Sequence, residues 1–358
     1  MSIKSIVNKS ILCGTAVIFS ATLFAGNGDR VGSAGATQLL INPWARGIGM
    51  ADAGVASDIG MSATFTNIAG LAFTPKTEIM FDRTNWLGGA GINVNSAGLA
   101  QRVSETTVFS VGITALSFGD IDITTVNQPE GGIGQFTPRM NTFNLGLAHE
   151  FSSSIYAGIN LKVATESIAN IKGNGIGLDV GIRYVTGEQD NIKFGIALKN
   201  IGPTMSYSGD GLATLVTYPE TGLQASLEQR SESFELPSLL SIGASYDFNF
   251  TESDKLTISG AFTANSFSYD QIRIGADFGK EIEQAAFHVK AGYVYERGIF
   301  SSEYVADGRA TALSGLTAGV SVDAILGESR NNIGIQYAFR AVNVFNGIHT
   351  IGLTLSLN

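Results

Sequence analysis

The sequence predicts a fourteen-stranded antiparallel β-barrel of the outer-membrane type, and three observations predict it. About fourteen segments of roughly ten residues alternate apolar with small or polar residues, as strands do between lipid and a lumen. Beyond the N-terminal segment, no run of about eighteen apolar residues offers a helical span. The 44 glycines and 10 tyrosines of this 358-residue chain suit a barrel better than an α/β enzyme, whose strands alternate with helices. A closed barrel is also the one sheet that crosses a bilayer without an unpaired edge.

The first element is a leader. Lys4 and Lys9 precede an apolar run at 11–25 that is short for a span and ends on a small residue, so residues 1–25 read as a secretion signal cut after Ala25. Bulky Leu12 before Cys13 argues against a lipoprotein signal. Cys13 is the single cysteine, so a mature chain has no disulfide, thiolate nucleophile or cysteine metal site. The formal net charge of −9 becomes more negative when the two leader lysines go, which disfavours a nucleic-acid partner.

Residues 26–76 are too long for a simple lead-in and do not alternate. They read as a hatch, or plug, for the lumen. A short helix is expected around 36–41, halted by Pro43, with compact turns at the glycines. A disordered tail is the alternative, but the aliphatic content exceeds that of usual disordered segments.

The barrel occupies 77–358. Its strands are expected at 77–85, 92–101, 106–116, 141–150, 154–165, 175–185, 192–200, 237–248, 255–264, 270–279, 285–295, 314–325, 331–339 and 347–357. Alternation is poor in the first two and clear in the last, where Ile351, Leu353, Leu355 and Leu357 oppose Thr350, Gly352, Thr354 and Ser356. Connections alternate between short ones, such as 102–105 and 151–153, and a set that contains the long 117–140, 201–236 and 296–313. Short turns belong in the periplasm, so the N-terminus is placed there and the long loops outside.

The expected inward faces carry Asp179, Arg183, Lys162, Lys193, Lys199, Asp247, Arg273, Asp277, Lys290 and Asp323, with glycines between. Mixed signs fit a lumen closed by internal pairing, whereas an ion-selective pore favours rings of one sign. The outward rows face outer-membrane lipid.

Enzymatic chemistry is not expected. On these registers His149 and His349 face lipid and His288 faces the lumen beside Lys290, and none lies in a motif with serine and an acid. Three isolated histidines make a poor metal site. The glycine clusters at 131–134 and 173–177 read as loop tips rather than phosphate cradles, because neither opens a helix after a strand. Asp120 and Asp122 are too few for a calcium shell. No cofactor is expected.

Several stretches resemble a known family. Ala45-Arg46-Gly47-Ile48-Gly49-Met50, Ala53-Gly54-Val55-Ala56 and Asn67-Ile68-Ala69-Gly70-Leu71-Ala72 are similar to the N-terminal hatch of the PorV/PorQ family, whose barrels are related to the FadL fatty-acid channel. The run from Asn200 to Leu212, with Gly202, Pro203, Met205, Tyr207 and Asp210, together with Phe234-Glu235-Leu236-Pro237-Ser238, resembles the PorV segment flanking its long middle loop. The likeness covers essentially the whole mature chain. Ile68 departs from the family's more frequent proline, and Pro43-Trp44 is a bulkier lead-in than usual.

The resemblance implies a FadL-like barrel in the type IX secretion system, closest to PorV. Such a protein receives the C-terminal signal domain of exported cargo from the large translocon barrel and passes it to the surface attachment complex. It binds and shuttles without catalysis. The long loops supply adaptable surface, and Met205, Tyr207, Asp210 and Tyr218 of the middle loop are candidate partner-binding residues, since aromatics and methionine are enriched where partners dock. Ordinary loop packing is the alternative for them. Arg46, Asn67, Gly70 and Leu71 mark the hatch motif. The competing function is a FadL-like channel for hydrophobic small molecules, which would need an apolar pocket.

Overall fold

The computed structural model describes residues 26–301, 310–327, 329–343 and 345–358; the expected secretion signal lies outside these residues. Fourteen strands close into an antiparallel barrel. They are β1 (Thr77–Trp86), β2 (Ile92–Arg102), β3 (Thr107–Ser117), β4 (Arg139–Ser152), β5 (Ile155–Ile168), β6 (Ile171–Thr186) and β7 (Ile192–Ile201). The second half comprises β8 (Leu239–Asn249), β9 (Asp254–Asn265), β10 (Gln271–Ile282), β11 (Ala285–Glu296), β12 (Leu313–Leu326), β13 (Asn331–Val342) and β14 (Ile348–Leu357). Each pairs with its sequence neighbours, and β1 closes on β14 from Thr77 opposite Leu357 to Asn85 opposite His349.

The period-2 pattern sorts the side chains. In β6, Ile176, Leu178, Val180 and Ile182 are exposed, while Gly175, Gly177, Asp179, Gly181 and Arg183 are buried inside. His288 faces inward and His149 and His349 lie on outward rows. The poor alternation of β1 has a cause: its inward row is Glu78, Met80, Asp82 and Thr84, all buried against other polar and apolar groups.

Two expectations are corrected. The 173–177 glycine run is not a loop tip but part of β6, which begins at Ile171 after a two-residue connection with Ala169 at φ 47°. The strand period turns these positions inward, and the middle loop folding back over them leaves no room for a side chain: a Cβ on Gly173 would lie 2.6 Å from the Tyr207 ring, and one on Gly175 would lie 3.0 Å from Leu236. Within that loop Tyr207–Ser208 pairs with β6 at Gly173 and Lys172.

The second correction concerns where the described chain starts. Gly26 packs against Ser268 and Asp270 in the β9–β10 connection, and Arg30 stacks 3.9 Å over Phe267 and pairs with Glu235 at 3.0 Å. That is the long-loop end, opposite the end where β1 begins. The N-terminus of the described chain and the long loops therefore share one end, because residues 26–76 run the length of the lumen before β1. The stretch contains 3-10 turns at Thr37–Leu40 and Ile68–Phe73 and one-turn helices at Ala45–Ile48 and Ala63–Thr66. Trp44, Met61, Phe65, Ile68 and Leu71 form its main apolar cluster with Met80, Val108, Ala148 and Tyr156 of the wall.

Leu353 sits mid-strand in β14 on the outward row, 51% exposed. Leu353→Arg is expected to destabilise the folded barrel in lipid by about 2–4 kcal/mol, falling towards zero for arginine placed near the strand ends. Denaturant titration in phospholipid vesicles checks this.

Candidate functional site: the plugged lumen and the long-loop end

The hatch is fastened to the wall by charges from both sides. Asp52 accepts from Arg340 Nη2 at 2.6 Å and from Asn42 Nδ2 at 2.6 Å, with Arg273 Nη1 at 3.6 Å. Arg46 Nη1 donates to Glu78 Oε1 at 3.2 Å, and Glu78 Oε2 accepts the Met61 amide at 2.6 Å. Asp82 Oδ2 accepts the Ala45 amide at 2.7 Å. Arg183 donates to the Asp58 carbonyl, and Lys199 Nζ donates to the Phe65 carbonyl at 2.8 Å. Gly60, at φ +65°, faces the Glu78 carboxylate, a position where only glycine is unstrained.

Within the hatch, burial and neighbouring charge act against each other. Burial would raise the Asp52 pKa, but Arg340, Arg273 and the Asn42 hydrogen bond outweigh it and hold the carboxyl below its usual value. Burial alone wins at Asp58, whose pKa is raised despite the Thr66 hydrogen bond. For Arg46, burial lowers the pKa, but Glu78, Asp323 and Asp58 more than compensate and raise it.

Of the four hatch-motif residues, Asn67, Gly70 and Leu71 share one turn, while Arg46 is held apart from them by Glu78. Asn67 caps the last turn, accepting from the Ala69 amide at 3.1 Å, and its Nδ2 donates to Val55 O at 2.9 Å and Ile182 O at 3.1 Å. A Cβ on Gly70 would fall 2.7 Å from both Ala63 Cβ and Arg183 Nη2. Leu71 is fully buried in the apolar cluster. Ile68, where the family more often has proline, is buried against the wall at Gly146.

The middle-loop residues are placed differently from one another. Met205 is buried with Ala36, Leu39, Ala164 and Leu236, so it packs the loop stem onto the hatch and offers no surface to a partner. Tyr207 is half-buried and donates to Glu166 Oε2 at 2.5 Å; burial first, then that carboxylate, raises its pKa. Asp210 and Tyr218 are exposed. Beyond them, Ala213–Thr217 and Gln224–Glu228 form a ribbon in which Thr214 opposes Leu227 and Val216 opposes Ala225. Tyr218 and Leu223 extend those rows, so one ribbon face is apolar, with Tyr218 49%, Leu223 67% and Leu227 48% exposed.

Below the hatch, at the short-turn end, lies a cavity of about 790 Å³ lined by charged and polar groups together with apolar ones such as Ile59, Phe73 and Val185. Its charges are largely paired: Lys193 with Asp247 at 2.5 Å, Lys290 with Asp277 at 2.5 Å and Arg330 with Glu281. Deeper in the wall, Lys162 meets Asp179 at 2.5 Å. His288 Nδ1 lies 3.0 Å from Asp277 Oδ1, and Ser321 is its cross-strand neighbour. Asp120 accepts from Thr137 and Asp122 from Gln135. Among the described residues no cluster of three or more His, Cys, Asp or Glu could hold a metal ion.

Glu78, Asp82, Asp52, Asp58 and Arg340 are the groups sequence reasoning missed. The charged inward positions of a poorly alternating first strand were the available signal for the first two.

No family model matches the chain, and no curated protein does. Solved structures do. A mutant of the TodX monoaromatic hydrocarbon channel aligns with TM-score 0.59 at 12% identity, covering 88% of this chain and 98% of that one. The fold is that of the FadL-like barrels. A Pseudomonas aeruginosa FadL homologue aligns with TM-score 0.53 at 12% identity over 87% of this chain and 98% of its own. The CymD monoaromatic hydrocarbon channel gives 0.51 at 13% over 92% and 98%. At such identities the likeness is one of fold, and it makes this an outer-membrane-type barrel.

The lowered Asp52 pKa has a pH signature. A folded pKa below the unfolded one stabilises fully above the unfolded value of about 3.9, and the contribution is lost as pH falls through the folded value. Asp52→Asn is expected to lower hatch stability by about 3–5 kcal/mol at neutral pH, because it leaves two buried arginines uncompensated. The gap between wild type and variant should be flat above about pH 5 and shrink below about pH 4. Denaturant midpoints read from Trp44 fluorescence in a Trp86→Phe background measure it.

Proposed function

We propose that this chain works in the outer membrane as a plugged barrel whose long-loop end receives other proteins. In this reading it is a PorV-like component of the type IX secretion system. It takes the C-terminal signal domain of exported cargo from the large translocon barrel and delivers it to the surface attachment complex. Long loops then lie outside the cell and short turns in the periplasm, and no step is catalytic.

The observation that carries this reading is the pairing of a fastened plug with an unpartnered apolar ribbon. Opening a path through the lumen would separate Asp52 from Arg340 and Arg46 from Glu78, and each broken buried pair is costly. The ribbon instead presents Tyr218, Leu223 and Leu227 at the surface, where aromatic and aliphatic anchors carry most protein-binding energy.

A second reading is a channel for hydrophobic small molecules. The solved neighbours named as hydrocarbon channels support it, and they favour it over the secretion role, whose support is the sequence resemblance and the plug geometry. The ion pairs in the lining of the 790 Å³ cavity weigh against it.

Affinity capture from detergent-solubilised outer membranes separates the two. The first reading expects recovery of the translocon or of signal-bearing cargo, with Tyr218→Ser/Leu223→Ser lowering cargo recovery about tenfold or more. Absence of both partners, together with toluene uptake that depends on this protein, would establish the second reading instead.

A further inference from the structure

The lipid-facing rows of the barrel are interrupted at β1 and β2. Elsewhere they run on: β6 turns Ile176, Leu178, Val180 and Ile182 outward, and β14 turns Ile351, Leu353, Leu355 and Leu357. On β1 the apolar row ends after Ile79 and Phe81, and the next two outward positions are Arg83 and Asn85, both exposed. On β2 it holds only Leu99 and Ala97 before Asn95 and Asn93.

The register makes these residues one patch. Arg83 lies opposite Asn95, and Asn85 opposite Asn93, so the polar side chains form a two-by-two block on adjacent strands. On its other side Arg83 lies opposite Ile351, which is 58% exposed and itself faces Tyr337 across β13. Asn95 lies opposite Ala115 of β3. The block is thus a notch cut into the apolar band, one outward step from the row of Phe81 and Leu353.

Such a notch is costly against lipid. The apolar band of an outer-membrane barrel is about 25 Å tall, and arginine on its lipid face is penalised most towards the middle. Among the described residues Arg83 makes no ion pair, and the four side chains make one hydrogen bond, from Asn93 Nδ2 to the Gly91 carbonyl at 3.3 Å. An arginine can stretch along the wall to the interface, but asparagines are too short to follow it. A second copy of this chain is a poor cover. The outward rows of the described barrel strands carry no carboxylate except Asp254, which lies at the short-turn end and pairs with Lys280 at 2.9 Å. Two copies meeting at the notch would set guanidinium against guanidinium.

We propose that the β1–β2 notch is the docking face for the lipid-facing wall of a different outer-membrane barrel, one that presents a carboxylate to Arg83 and amide or hydroxyl groups to the asparagines. Polar groups otherwise left against hydrocarbon gain partners there, and charge complementarity selects which wall fits. Arginine is also among the residues that concentrate binding energy at interfaces. The contact lies in the plane of the membrane. It therefore stands apart from both functional readings above, needing neither the apolar ribbon nor an open lumen.

The test has two arms, both on the full chain. In phospholipid vesicles the barrel is alone and Arg83 faces lipid, so Arg83→Leu should raise the denaturant midpoint. In the native outer membrane, p-benzoylphenylalanine in place of Phe81 should photo-crosslink to one partner barrel, at an outward strand position beside an Asp or Glu, and the same probe in place of Val180 should not. Arg83→Leu should lower that product about tenfold or more. Arg83→Asp should lower it as well, and replacing the partner's carboxylate residue by arginine should restore it. Asn95→Leu serves if Arg83→Leu does not fold, and is expected to move both readings in the same directions. A midpoint that falls in vesicles would mean that Arg83 serves this barrel itself and would overturn the proposal. So would crosslinks to lipid or to a second copy only, no product at all, or a product indifferent to the Arg83 substitutions.

Discussion

The hatch backbone lies directly against the barrel wall, and this close approach is what the rest of the structure depends on. It is possible only where the wall has no side chain. A Cβ on Gly292 would sit 2.6 Å from the Met50 carbonyl carbon, one on Gly275 2.6 Å from the Met50 oxygen, and one on Gly319 3.0 Å from Gly49 Cα. These lie on β10, β11 and β12, with Gly195 of β7 in a similar relation to the Val55 carbonyl. Such separations are below van der Waals contact, so any larger residue would push the hatch away. Interiors are packed too densely to absorb the shift.

Close approach alone would leave a sliding surface. The charges supply the fixed points. Each carboxylate that the wall turns inward from β1 meets a hatch backbone amide, Glu78 the Met61 N–H and Asp82 the Ala45 N–H, satisfying donors at the starts of short helical turns. In return the hatch sends Asp52 to Arg340 on β13, two strands round from β1, and to Arg273 on β10, three strands further. With Arg183 of β6 and Lys199 of β7 holding the Asp58 and Phe65 carbonyls, the plug is held at several points around the wall: the glycines bring the backbones together and the charged groups set their register.

The barrel was largely legible in the sequence because a period of two states which face each residue occupies. Ile351 and Leu353 outward, Asp179 and Arg183 inward, and the division of short and long connections all follow from it. The same pattern is silent on what meets an inward residue. Glycine at 173, 175 and 177 reads as punctuation in a sequence, and only the returning middle loop shows that its job is to clear space for Tyr207 and Leu236. Met205 failed as a surface anchor for a related reason. A methionine between polar residues looks exposed until its partners, Leu39 and Leu236, arrive from distant positions. The hatch motif was visible through family resemblance, whereas its ion pairs were not, because Asp52 and Arg340 are far apart in the chain and belong to no local pattern.

The described chain begins beside Asp270 at one mouth of the barrel, and β1 begins at the other. The polypeptide is therefore threaded along the lumen axis before it becomes wall. The wall is sealed only when the last strand, Ile348–Leu357, zips onto the first from Thr77 to Asn85. Threading after closure would draw residues 26–76, with their buried charges, lengthwise through a lumen already walled in, whereas gathering them inside while the seam is open avoids that passage. The topology thus favours an order in which the final residues act as the clasp that encloses the plug.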